Sequence, residues 1–163
     1  MPLSARLSPS ATPACLVLDT NVVLDWLVFG DPAIAPLVAA LGAGELRWHA
    51  TAAMRDELAS VLGRGGLDAW RPEPAALWAA WARWSHPAEA APAHPARPLR
   101  CTDPDDQKFI DLALQLRPAT LLSRDRAVLR LARPAAAHGV HIATPAAWAA
   151  RRASGPSPAA PRP

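Results

Sequence analysis

Residues 14–22 read Ala-Cys-Leu-Val-Leu-Asp-Thr-Asn-Val, a short apolar run that ends abruptly in an acid. A run without polar alternation is typical of a central strand that is covered on both faces. Residues 120–125, Thr-Leu-Leu-Ser-Arg-Asp, repeat the pattern. Helical patterns separate the strand-like runs. This alternation predicts the α/β class, as a three-layer α/β/α sandwich around a central, mostly parallel, Rossmann-like sheet.

The other elements follow from periodicity, caps and turn residues. The Pro-rich stretch 87–98 is predicted to be a connection, functional or mobile. Alternation predicts strands, and helical periodicity with Thr, Asp, Gly and Pro boundaries predicts helices. The predicted strands are 14–18, 46–50, 120–123 and 140–143, and the predicted helices are 22–29, 32–41, 51–62, 74–85 and 104–116, with two more after Asp125 and near Trp148.

Length and composition predict a single globular domain. The chain has 163 residues, of which 51% are apolar and 19% are charged, so it can bury its own core. We expect a flexible N-terminus over 1–13, one domain over 14–152 and a disordered tail over 153–163. The net charge of +3 permits nucleic-acid binding without requiring it.

Cysteine usage and the absence of targeting patterns point to a reducing compartment. Cys15 and Cys101 are both predicted in a strand or at its edge, and two isolated cysteines form neither a disulfide framework nor a zinc motif. The N-terminus does not resemble a secretory signal, and no apolar run approaches the roughly 18 residues that cross a bilayer. We therefore expect a soluble, cytoplasmic protein without a membrane partner.

Several acidic residues are predicted at the carboxyl edge of the parallel sheet. Asp19 and Asp125 each follow a predicted strand, and the carboxyl ends of parallel strands share the edge where ligands bind. The acids from Asp103 to Asp106 open a predicted helix with Pro near its start. Asp105 and Asp106 both flank the apolar face of that helix, so periodicity does not separate them.

A fourth acid comes from the helix predicted over 51–62. Asp56 points away from the apolar stripe of that helix, whereas Glu57 lies on its flank and can lean toward the core edge. Converging carboxylates repel one another, which raises some of their pKa values unless a cation is present. An oxygen-only set favours Mg²⁺ or Mn²⁺ over Zn²⁺, and such an ion supports phosphodiester hydrolysis.

Five segments, in this order and spacing, resemble the motifs of PIN-domain nucleases. The resemblance runs from about residue 14 to 149 and implies a PIN-like fold with a Mg²⁺-dependent (or Mn²⁺-dependent) endoribonuclease site. The segments are Leu-Asp-Thr-Asn-Val at 18–22, Met-Arg-Asp-Glu-Leu at 54–58, Asp-Pro-Asp-Asp-Gln-Lys-Phe at 103–109, Leu-Ser-Arg-Asp at 122–125 and Val-His-Ile-Ala-Thr-Pro at 140–145.

The resemblance also implies roles for individual residues and partners. It favours Asp106 over Asp105. The implied setting is the toxin of a bacterial type II toxin–antitoxin pair, with an RNA substrate, a small antitoxin partner and a homodimer. Ala127 departs from the family, because a second Asp often stands there. The implied catalytic and metal-binding residues are Asp19, Glu57, Asp106 and Asp125, with Thr20, Asn21 and Ser123 as supporting polar residues.

Three alternatives remain open at this stage. A phosphatase of the haloacid-dehalogenase type also places Asp after the first strand, but its second Asp would stand where this chain has Asn21. A non-catalytic interaction module could keep the fold, and a housekeeping nuclease would share every motif. Four basic residues flank the acids and could bind RNA phosphates, although solvated surface charge explains each of them equally well: Arg100, Lys108, Arg124 and Arg126. The Trp residues of 78–84 could stack on bases, although core packing is the favoured interpretation.

Overall fold

The computed structural model describes residues 12–90, 92 and 97–155, and these form an α/β fold. Short 3₁₀ turns and one π-helical turn, Asp25–Phe29, join the regular elements. In the described ranges the strands and α-helices, in chain order, are β1 (Ala14–Leu18), α1 (Thr20–Leu24), α2 (Ala35–Gly42), β2 (Leu46–Ala50), α3 (Ala52–Gly63), α4 (Pro74–Trp84), β3 (Ser85–Pro87), α5 (Gln107–Leu116), β4 (Ala119–Leu122), α6 (Arg126–Leu129), α7 (Ala132–Ala136), β5 (Val140–Ala143) and α8 (Pro145–Ala153).

The strands form one parallel sheet in the order β3-β2-β1-β4-β5. From β1 the chain builds outward first on one side and then on the other, so the strand order reverses between β1 and β4. Leu18 lies opposite Leu122 in that pair, and the two strands therefore end at the same level. Such a reversal point opens a crevice at the carboxyl edge of the sheet.

Burial along β1 shows that helices cover both faces of the sheet. Leu16, Val17 and Leu18 are each no more than 2% exposed. Successive strand side chains point to opposite faces, so this burial requires packing on both sides. Helix α5 contacts β1 and β4 through its apolar stripe, which includes the buried Phe109 and Leu112. The predicted α/β/α sandwich is confirmed.

Three local predictions from the sequence were wrong or incomplete. The helix predicted from Val22 begins at Thr20 and widens into the π-helical turn. Strand β3 was not predicted, because three residues that include a proline give too little periodicity, and it lies at the sheet edge where proline is tolerated. Cys101 is not in a strand: it lies in a loop, where its N–H donates to Gln107 Oε1 at 2.7 Å.

The tryptophans of α4 pack into the core, as favoured from the sequence. Trp81 is buried, while Trp78 and Trp84 are partly buried against the same cluster. Trp81 also meets the buried Trp48 edge-on, with ring centroids 4.8 Å apart. These rings stabilise the packing of α4 against β2 and are not available as an open stacking platform.

Several predictions fall partly outside the described residues. The N-terminal prediction for 1–13 lies outside apart from Thr12 and Pro13, and the tail prediction lies outside beyond Gly155. Within the Pro-rich connection, 91 and 93–96 lie outside. Among the described residues no single helix is long and apolar enough to cross a membrane. The segments Thr20–Phe29 and Pro32–Gly42 reach that length and composition only as a pair bent by 113°.

Candidate active site

Asp19 and Ser123 meet where β1 and β4 end. Asp19 is 3% exposed, and its N–H donates to Leu122 O at 3.0 Å, which extends the strand pairing by one step. Ser123 Oγ donates to Asp19 Oδ2 at 2.6 Å and accepts the N–H of Asp125 at 2.9 Å. The buried hydroxyl therefore orients the first acid and ties it to the loop that carries the fourth.

Asp106 enters the crevice from the start of α5. Asp103 Oδ1 accepts the N–H of Asp105 at 2.9 Å and so caps the 3₁₀ turn that precedes the helix. That turn leaves Asp105 exposed and Asp106 buried, 8% exposed. Burial thus separates the two residues that periodicity left together, and the role that the resemblance implies for Asp106 stays a prediction.

The carboxyl group of Asp106 is in an environment that disfavours its charged form. Burial, followed by the charges of Asp19, Asp125, Asp103 and Glu57, raises the pKa of Asp106 to about 7. Its Oδ2 atom is buried and has no hydrogen-bond partner. Burial is the larger cause of this shift, and the neighbouring carboxylates add to it, so Asp106 lies in a buried cluster of like charge.

Asp19 experiences the same conflict between burial and charge. Burial raises its pKa, with smaller contributions from the charges of Glu57 and Asp125. Hydrogen bonds from Ser123 and from the N–H of Thr20 oppose that rise. Thr20, predicted as a supporting residue, therefore acts on Asp19 through its backbone.

Glu57 is placed beside the cluster but is paired with a cation. Thr51 Oγ1 accepts the N–H of Met54 at 3.4 Å and caps α3, which leaves Asp56 exposed and Glu57 half-buried. Glu57 Oε2 lies 2.6 Å from Lys108 Nζ, an ion pair that bridges α3 and α5. The predicted choice of Glu57 over Asp56 agrees with their burial. Its carboxylate, however, faces an ammonium group.

Asp125 uses one carboxylate oxygen as a helix cap. Its Oδ1 accepts the N–H of Ala127 at 2.7 Å at the start of α6. Ala127, where the family often has a further acid, thus donates its backbone N–H to Asp125. Asp125 therefore caps a helix and also belongs to the acidic cluster, because its charge raises the pKa values of Asp19 and Asp106.

Arg124 has a role that the sequence did not reveal. Its backbone N–H donates to Asn21 Oδ1 at 3.2 Å, so the Asn21 amide holds the loop after β4, while the supporting role implied for Asn21 stays a prediction. Its Nε atom lies 2.7 Å from Asp25 Oδ2, and its guanidinium also binds Asp31. Arg124 therefore anchors the loop between Ser123 and Asp125 to the π-helical turn instead of standing free for RNA. No local signal predicts partners more than ninety residues away along the chain.

The donor set fits a hard divalent cation, although the acids are not yet arranged around one. Among the described residues no group of three or more His, Cys, Asp or Glu side chains is positioned to hold a metal ion. Lys108 holds Glu57, and α6 engages one oxygen of Asp125. Neither Asp19 nor Asp106 is in an ion pair among the described residues, and Asp106 has an unpartnered buried oxygen, so these two carboxylates are the candidates to hold such an ion.

Comparison with known families identifies this arrangement. A family profile described as the PIN domain matches residues 15–127, which is more than half of the chain and spans all four acids. A search of curated proteins found no match. PIN domains are generally nucleases and typically bind divalent metals, which argues against the dehalogenase-type phosphatase. The chain therefore belongs to the PIN-domain family and has its nuclease-type fold.

Proposed function

We propose that the protein is a Mg²⁺- or Mn²⁺-dependent endoribonuclease. The observation that carries this proposal is the state of Asp106, a buried carboxyl group whose pKa reaches about 7 among four other acids. Such an excess of negative charge is costly for folding alone and is balanced by a divalent cation. A cation at the carboxyl edge of a parallel sheet is also placed where substrates bind.

In this proposal each side chain has a defined task. Asp19 and Asp106 hold the ion, and Asp125 completes the set on the β4 side. Ser123 and the N–H of Thr20 fix the Asp19 carboxylate in one orientation, so its position does not depend on the ion. When bound, a divalent ion supplies Lewis-acid stabilisation of a phosphodiester and a water of lowered pKa.

A cleft beside the acids provides a path for the RNA strand. Its lining includes Thr51, which caps α3, Arg97, which precedes α5, and Gln107 and Lys108 in the first turn of α5. Gln107 braces this wall, because its Nε2 donates to Leu99 O at 3.0 Å and to Asp111 Oδ1 at 2.8 Å. The two cations of the lining, Arg97 and Lys108, are paired with Asp111 and Glu57, so they lower the negative potential that an approaching phosphate backbone meets here.

The biological setting is a further proposal that rests on the resemblance of the motifs. We place the protein in the cytoplasm as the toxin of a toxin–antitoxin pair, as a homodimer inhibited by a small antitoxin. A housekeeping nuclease would use the same site. A non-catalytic interaction module is the second candidate, favoured by the ion pair that occupies Glu57 and by Ala127.

The experiment is RNA cleavage by the purified full chain, with Mg²⁺, with Mn²⁺ and with EDTA. The variants are Asp19→Asn and Asp106→Asn, and Asp56→Asn is the matched control because it lies exposed beside Glu57. We expect metal-dependent cleavage by the wild type and the control, and a loss of about 100-fold or more in the two site variants. Cleavage retained by pure Asp19→Asn protein would refute the proposal. Metal binding without cleavage of a broad RNA panel would favour the interaction module.

A further inference from the structure

Lys108 is held at one place on the rim of the acidic cluster. Its Nζ atom lies 2.6 Å from Glu57 Oε2 and donates to the carbonyl oxygen of Asp105. The same atom lies 4.9 Å from the centroid of the Phe109 ring. Contacts with a carboxylate, a carbonyl and an aromatic ring restrain a side chain that is only 26% exposed.

Glu57 lies within electrostatic reach of the acids that we assign to the metal. Its charge contributes to the raised pKa values of both Asp19 and Asp106. Its Oε2 atom is nevertheless buried against Lys108. To bind a divalent ion through that oxygen, Glu57 would have to exchange a close ion pair for the new ligand, and the displaced ammonium would then repel the ion at short range.

We infer that Lys108 is a positioning residue that keeps Glu57 out of the coordination shell and limits the site to a single divalent ion, bound by Asp19, Asp106 and Asp125. The inference rests on the metal centre of the proposed function. It replaces the ligand role that the resemblance implied for Glu57. The ammonium supplies one positive charge that a second metal ion would otherwise bring to this side of the cluster.

A pair of variants separates this role from a general effect of charge. Lys108→Met removes the ammonium and leaves Glu57 free to bind an ion. The double variant Lys108→Met/Glu57→Gln replaces a neutral ion pair with a neutral pair of similar size, so the net charge of the site does not change. Arg126→Met is the control, because it removes one exposed positive charge next to Asp125 and belongs to none of the ion pairs among the described residues.

The measurement is isothermal titration of the full chain with Mn²⁺, in the absence of RNA. We expect one ion per chain in the wild type, in Arg126→Met and in the double variant, with affinities within about threefold of one another. In Lys108→Met we expect a second ion, or an affinity for the first that is on the order of tenfold higher. Circular dichroism checks that each variant is folded.

Three results would overturn the inference. A wild type that binds two ions would show that the site is not limited to one, and a double variant that loses about tenfold or more in Mn²⁺ affinity would show that Glu57 is a ligand. A Lys108→Met protein identical to the wild type would show that the ammonium does not control access. Failure of the nuclease proposal is seen separately, because the Mn²⁺ titration can succeed in a protein that cleaves no RNA.

Discussion

Replacement of Asp106 by Asn should stabilise the metal-free protein at high pH. A pKa raised from 3.8 to about 7 means that the folded state binds this proton more tightly than the unfolded state. Ionisation of Asp106 therefore does not lower the free energy of unfolding at pH values below its pKa in the unfolded state. It lowers that free energy by the full amount at pH values above its pKa in the folded state. At roughly 1.4 kcal/mol per pH unit, the wild type loses about 3 kcal/mol of folding free energy between about pH 4.5 and pH 8 through this group.

The assay is urea unfolding of both proteins in EDTA at about pH 4.5 and about pH 8. The free energy of unfolding of Asp106→Asn minus that of the wild type should grow by about 2–4 kcal/mol over this interval. Asp105→Asn is the matched control, because it removes the exposed neighbouring carboxylate, and it should not reproduce the stabilisation at about pH 8. A flat difference for Asp106→Asn would refute the argument that its burial among acids disfavours the charge.

Three further predictions concern the groups around the acids. Ser123→Ala removes the 2.6 Å hydrogen bond to Asp19, so Mn²⁺ affinity measured by calorimetry should fall by about tenfold, and an unchanged affinity would contradict this role of the hydroxyl. Arg124→Gln leaves the buried Asp25 without its cation and should lower the free energy of unfolding by about 1–2 kcal/mol. Adding Asp25→Asn to that variant should recover most of the loss, and no recovery would contradict the pairing. Excess Mg²⁺ should raise the Tm of the wild type but not of Asp19→Asn, and equal shifts would place the ion elsewhere.

The strand ends were predictable because a buried strand followed by an acid gives a recognisable local pattern, an apolar run that ends in Asp. The apolar run that ends in Asp19 requires a strand covered on both faces, and a parallel sheet then brings Asp125 to the same edge. The flank of a helical stripe distinguished Glu57 from Asp56, because a 3.6-residue period assigns each side chain to a face. Each of these predictions uses the sequence of a single segment and requires no knowledge of contacts between segments.

The contacts that adjust the site could not be read from the sequence. Glu57 on α3 pairs with Lys108 on α5, and Arg124 after β4 pairs with Asp25 after α1, so neither contact produces a local pattern. Both basic residues looked equally suited to bind RNA phosphates. Asp105 is exposed and Asp106 is buried because of a capped 3₁₀ turn that helical periodicity does not predict.

The most direct test of the metal centre is a crystal of the full chain soaked in Mn²⁺ and measured for anomalous scattering. The account predicts one strong anomalous peak between the carboxylates of Asp19 and Asp106, with Glu57 still paired to Lys108. A peak coordinated by Glu57, or no peak at these acids at a Mn²⁺ concentration that supports binding in solution, would contradict it.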